Sequence, residues 1–311
     1  MAQGDWVPDE LDLPWLTQFD VRTLVAGVPA GPVGADDPVW ETLHDNGLLP
    51  SRVRDAIEGL RGSSPATMAE ALVDLGWTVC SDGNTSASGA FVVPMLIRAA
   101  ADTSAQSRAD ALQLVGDLAR VFTLNMEMRP SMLWVMQPMP VYDSSGYLEN
   151  WAVEAARMMV GRDTDLLVEL LDDDDPDVRG RAAYVLVTAL PVDGDLVEIL
   201  RLRLTAETVA SVRMILVICI AQHLRELDQV PEALAWSRAN WSDRASPLEI
   251  RLGGVIAWLN LTDEAVPPEL RKVLSELPMP AVRELSEQLP WIWWLNYQTD
   301  GIANWWQRLI Q

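Results

Sequence analysis

The stretch from Asp163 to Leu190 constrains the fold of this chain more than any other. Leu166, Leu167, Leu170 and Leu171 recur at helical spacing behind Asp163 and Thr164, two residues suited to cap a helix. The chain then turns through Asp172-Asp173-Asp174-Asp175-Pro176. A second helix is expected from Asp177, carrying Val178, Ala182, Ala183, Val185, Leu186 and Leu190 inward. Two antiparallel amphipathic helices joined by an acidic turn cannot cover their own apolar faces. Such a pair needs a neighbour on each side, which is the physical logic of stacked helical repeats.

The same theme returns along the chain. An apolar residue followed by arginine, then small and aliphatic residues, occurs at Val178-Arg179, Val212-Arg213, Ile250-Arg251 and Val282-Arg283, with arginine spacings of 34, 38 and 32. Ser107-Arg108 is a weaker copy, 71 residues before Arg179. The run Leu166-Leu167-x-x-Leu170-Leu171, the four aspartates, Pro176-Asp177-Val178-Arg179-Gly180-Arg181-Ala182-Ala183-Tyr184-x-Leu186 resembles a HEAT repeat of bacterial type. The resemblance covers about 65–290, with armadillo-like or tetratricopeptide pairs as the nearest competitors. It implies an all-α, HEAT-like/armadillo-like helical-repeat solenoid over 63–311, preceded by an irregular segment at 1–62. It also implies that Arg179 and Arg213 link to acids of adjacent turns and belong to the scaffold.

Further helices are predicted before this unit. Ser64-Pro65 has the form of a cap followed by a first-turn proline, with Met68, Leu72 and Leu75 behind it. Val92, Val93, Met95, Leu96 and Ile97 mark another helix, and Ala109, Leu112, Val115 and Leu118 a third.

The repeat pattern fails in three places. Prolines and glycines from Pro8 to Pro38 forbid a long helix near the start, yet Trp6, Trp15 and Trp40 call for packing on the body. Between about 123 and 150 lie Met126, Met128, Met132, Met136 and Met139 with Pro130, Pro138 and Pro140. Insertions of this length are often functional, and Met-rich surfaces adapt to apolar partners; a crossover packed on the body is the plainer reading. At the other end, Trp291, Trp293, Trp294, Trp305 and Trp306 fall within sixteen residues. Either they cap the last repeat or they form an aromatic surface for a partner, a cation or a flat ligand.

Charge narrows the partners. The net charge is −22, with a pI near 4.3 and Lys272 as the only lysine. Such a surface repels a phosphate backbone, so nucleic acid is not expected; a basic protein or a cationic molecule suits the field better. The preference for arginine over lysine is typical of a high-GC genome. Cys80 and Cys219 lack CxxC spacing, and Cys219 sits within the apolar run 214–220 as a core thiol, which points to a reducing compartment. No leader pattern or membrane-length apolar run is legible, so a cytoplasmic protein is expected.

The familiar catalytic and cofactor motifs are absent. There is no HExxH, P-loop, dinucleotide fingerprint or GxSxG, and no metal or cofactor is expected. Asp172 to Asp175 lack the spaced pattern of a calcium loop and read as solvated or capping acids. The acids and base left for chemistry are Asp143, Glu149, Glu154 and His223. For a ligand or partner the candidates are Met132, Trp134, Met136, Tyr142, Tyr147, Trp151 and the C-terminal tryptophans 291, 293, 294, 305 and 306. The expected function is an intracellular binding protein whose acidic solenoid engages a protein partner. The alternative is a small-molecule binder or acid-assisted enzyme with an apolar pocket at the insertion.

Overall fold

A computed structural model describes residues 20–43, 50–60, 65–81, 84–105, 107–121, 132–136, 140–141, 147–190 and 195–291. The regular structure among these residues is helical except for a two-residue antiparallel ladder. The helices are α1 (Val21–Gly27), α2 (Val39–Thr42), α3 (Pro50–Leu60), α4 (Pro65–Val79), α5 (Gly89–Ala101), α6 (Arg108–Leu118), α7 (Glu149–Arg162) and α8 (Thr164–Glu169). After a 3-10 turn at Leu170–Asp172 come α9 (Pro176–Leu186), α10 (Asp195–Ala206), α11 (Ala210–Glu226), α12 (Val230–Ser242), α13 (Leu248–Leu261), α14 (Pro268–Glu276) and α15 (Met279–Ser286). The ladder joins β1 (Cys80–Ser81) to β2 (Asn84–Thr85), with Cys80 opposite Thr85.

Apolar coverage decides which helices lie inside. On α11 every residue from Met214 to Leu224 is buried, and on α13 every residue from Leu252 to Leu261. Helices apolar all round must be covered on all sides. They accordingly lie side by side, with α9 on the other flank of α11 and α6 beyond α9. By contrast α10 buries only Leu196, Val197 and Leu200, and α12 only Ala233, Ser237 and Trp241. These one-faced helices pack on the outside of the row: α10 on α11, and α12 on α11 and α13.

The repeated arginines tie one unit to the next. Arg108 forks onto the carboxylate of Asp173, Arg179 onto Glu207, and Arg213 reaches Glu249 at 2.7 Å. Arg179 also donates to the carbonyls of Asp173 (2.8 Å) and Asp174 (3.1 Å), bracing the acidic turn. Two local details differ from the sequence reading. The second helix begins at Pro176 rather than Asp177, because Asp175 is the cap and its carboxylate accepts from the Asp177 amide at 2.9 Å. Asp163 makes no side-chain cap bond; Arg98 holds its carboxylate at 2.9 and 3.0 Å. Asp175→Ala should therefore lower stability by about 1 kcal/mol, seen as a lower urea midpoint at unchanged slope.

The segment read as irregular contains α1, α2 and α3. α1 packs on α7, with Val21 and Val25 fully buried. Arg162 of α7 closes its end by donating to the carbonyls of Val25 (2.8 Å) and Val28 (3.0 Å). Trp40 is buried edge-on against Phe91, its indole N–H bonded to the Gly34 carbonyl at 2.7 Å. Trp6 and Trp15 lie outside the described residues. Among those described, no helix is long and apolar enough to cross a membrane.

Candidate functional site

The described part of the Met/Pro insertion packs on the row through arginines. Arg120, just past α6, is 2 % exposed. It donates to the carbonyls of Met132 (3.1 Å) and Trp134 (3.0 Å), to the Tyr184 hydroxyl (3.2 Å) and to Gln222 Oε1 (3.3 Å). Arg225, in the last turn of α11, donates to the Leu133 carbonyl at 3.1 Å and lies 5.5 Å from the centroid of the Trp134 ring. An arginine fork suits this task because its fixed N–H groups reach several carbonyls at once. Met132 and Leu133 are buried beneath the clasp, whereas Trp134 and Met136 are half-buried.

A third guanidinium joins from α7. Arg157 is 5 % exposed and donates to the Thr188 carbonyl at 2.9 Å. It and Arg225 share the single carboxylate of Glu226, each at 3.4 Å. Burial is the largest influence on both arginines and holds their pKa values below the usual guanidinium value; the Glu226 charge acts the other way. Arg157, largely removed from water, is costly unless paired.

Behind Arg120 the network continues into the core. The Tyr184 hydroxyl donates to Asp117 at 2.9 Å, and Gln113 donates to the same carboxylate and to the Pro290 carbonyl. Burial pushes the Asp117 carboxyl above its ordinary value against those bonds, and pushes the Tyr184 phenol up as well. Tyr184 stacks so closely on α6 that a Cβ at Gly116 would sit 2.1 Å from its ring. Trp291 meets the other side of that ring edge-on at 5.0 Å and has no exposed surface. It is a buried core side chain packed on α9. Trp293, Trp294, Trp305 and Trp306 lie outside the described residues, as do Tyr142 and Asp143.

The remaining candidates fall elsewhere around α7. Glu149 is fully buried and its Oε1 accepts from the Thr85 amide at 3.2 Å, anchoring the small ladder. Tyr147 accepts from the Val21 amide and packs edge-on against Trp151. Trp151 lies under the Arg22 guanidinium, which is also bonded to Glu154 at 2.5 Å and to Asp20. Tyr147, Trp151 and Glu154 thus secure α1 rather than line a common cleft. His223 is buried in α11 beside Gln222. Burial pushes the Cys219 thiol up, as suits a packed core group.

No family model, curated protein or solved structure matches the chain.

The structure therefore brings Met132 and Trp134 together with Arg120, Arg157, Gln222 and Arg225, none of which the motif search selected. Their signal was present, though faint: Arg157 interrupts Ala155-Ala156 and Met158-Met159, and Gln222 follows a long apolar run. A polar side chain on a buried helix face must meet another polar group, and its identity depends on the packing of distant helices. The acids described here are already engaged by donors, and among the described residues no three His, Cys, Asp or Glu side chains converge as metal ligands. The arrangement offers fixed donors, not a free acid–base pair.

Proposed function

We propose that the chain is a HEAT-like repeat protein that binds a protein partner carrying a basic surface, in a regulatory, scaffold or immunity-type role without catalysis. The supporting observation is the fate of the arginines. Arg98, Arg108, Arg179 and Arg213 are turned onto Asp163, Asp173, Glu207 and Glu249 of the scaffold itself. Such pairs use equal numbers of acids and arginines, so the excess of 45 acidic over 23 basic residues remains. Along α8 and the start of α9, Asp165, Glu169, Asp174 and Asp177 are exposed. A dense acidic edge raises encounter rates with cations and selects their sign. α4 adds an apolar anchor: Trp77 and Val73 are exposed one turn apart, beside Glu70 and Asp74.

A labelled lysine-rich model peptide tests this reading by fluorescence anisotropy. Binding should weaken as salt rises, because exposed charges are screened beyond a Debye length of about 8 Å at physiological ionic strength. Changing Asp165, Glu169, Asp174 and Asp177 together to their amides should raise Kd about tenfold. The same change at Asp36, Asp37, Glu41 and Glu269 should have a smaller effect. Salt-independent binding, or equal losses from both sets, would count against the proposal.

A further inference from the structure

Hydrogen-bond and charge balance fail together at one place in the fold, under residues 132–136. Arg120, Arg157 and Arg225 meet there, and among the described residues the only carboxylate in direct contact with any of them is Glu226. Its bonds to Arg157 and Arg225 are both at 3.4 Å, the far edge of hydrogen-bonding distance. Glu154 is engaged by Arg22, and Asp117 is separated from Arg120 by Tyr184.

The unmatched groups all have the same sense. Arg120 Nε and Gln222 Nε2 are buried N–H donors with no partner. Gln222 is held in this orientation because its Oε1 accepts from Arg120. Among the described residues, Arg157 Nη1 and Arg225 Nη2 have no partner either, though these two atoms are not sealed from solvent. Buried polar groups in folded proteins are nearly always satisfied, and leaving cations unpaired away from water is costly. A site with surplus donors and surplus positive charge is complementary to an anion that brings acceptors. Beside it lies the half-buried indole of Trp134, 5.5 Å from the Arg225 guanidinium.

We propose that Arg120, Arg157, Arg225 and Gln222 bind the carboxylate of a small organic acid whose apolar portion lies against Trp134. Arginine forks match the two oxygens of a carboxylate, and Gln222 supplies a neutral donor beside them. The indole, already facing one guanidinium, gives the apolar portion a flat contact. This site is independent of the acidic edge, and its ligand has the opposite charge to the partner proposed there.

Isothermal titration of the full chain with phenylacetate, hexanoate, acetate and inorganic phosphate tests the proposal. Phenylacetate or hexanoate should bind saturably with Kd below about 1 mM, at least tenfold more tightly than acetate. Arg225→Gln should raise that Kd at least tenfold, and Arg225→Lys by less, because it keeps the charge but loses the fork. Trp134→Ala should weaken phenylacetate and leave acetate nearly unchanged. The melting temperature and circular dichroism of each variant establish that it is folded. Lysine-peptide binding should be the same in Arg225→Gln as in the unaltered chain, so the two proposals stand or fall separately. The site is overturned if no carboxylate saturates, if phosphate binds and the carboxylates do not, or if folded Arg225→Gln binds phenylacetate as the unaltered chain does.

Discussion

Replacing Glu207 by glutamine should lower stability by about 3–5 kcal/mol at neutral pH, the range expected when one partner of a buried ion pair is removed. Glu207 is 5 % exposed and its two oxygens receive five donors. Arg179 supplies Nε and Nη2, Arg203 supplies Nη2, and the amides of Thr208 and Val209 complete the set at 2.8–3.0 Å. Glutamine matches the size but presents an amide N–H to donors, leaves Arg179 without its carboxylate partner and leaves Arg203 only the exposed Asp172. Burial alone would raise the Glu207 pKa, yet the arginines and backbone amides outweigh it and hold the carboxyl at about 2, against an ordinary 4.5. The folded-state value is therefore the lower one. Its contribution is fully present above the unfolded value of 4.5 and is lost as pH falls through that value toward about 2. At roughly 1.4 kcal/mol per unit this amounts to about 3 kcal/mol. Urea unfolding at several pH values should show the gap between Glu207→Gln and the unaltered chain widest at pH 7 and shrinking below about 4.5. A gap that stays constant with pH would refute the assignment.

The legible and illegible parts of the fold separate by range. Helix-pair periodicity over 163–190 is a local signal, and α8 and α9 form there with a start displaced by one residue. The all-helical class follows from the same signal repeated along the chain. Asp175 and Asp163 show the limit of local reasoning. Both precede a helix, but only Asp175 uses its carboxylate as a cap, because Arg98, 65 residues away in sequence, takes that of Asp163. The arginine cluster lies further beyond reach. Arg120, Arg157 and Arg225 come from three separated segments, and their meeting depends on how α6, α7 and α11 pack. Whole-chain charge obscured it as well: a net −22 describes the surface field, whereas a buried group responds to neighbours within a few ångströms. Trp291 belongs to the same class, since a tryptophan count cannot separate a fully buried ring against Tyr184 from an exposed aromatic surface.

The sign of a glycine-to-alanine change at position 161 tests the close packing that positions Arg157. In an open helical position the change favours the helix by about 1 kcal/mol. Gly76 on α4 is such a position: an added Cβ would meet nothing nearer than the Leu114 methyl at 3.9 Å, so Gly76→Ala should stabilise the chain. Gly161 on α7 is different. Its added Cβ would lie 1.7 Å from the Leu190 carbonyl oxygen and 2.9 Å from the carbonyl carbon. That obstacle is backbone, and no rotamer change removes it. One turn earlier on α7, the Arg157 carbonyl accepts from the Leu190 amide at 3.3 Å, and the Arg157 side chain donates to Thr188 at 2.9 Å. Room for the methyl requires α7 and the 187–190 turn to separate, which lengthens both bonds. Overpacking commonly costs 1–3 kcal/mol, and an immovable neighbour places Gly161→Ala at about 3 kcal/mol or above, despite the gain in helix propensity. Urea melts should therefore move in opposite directions for Gly76→Ala and Gly161→Ala. A stabilised Gly161→Ala chain would mean that α7 does not sit flush on this turn. In folded Gly161→Ala the displaced Arg157 should also weaken phenylacetate binding, whereas Gly76→Ala should leave it unchanged.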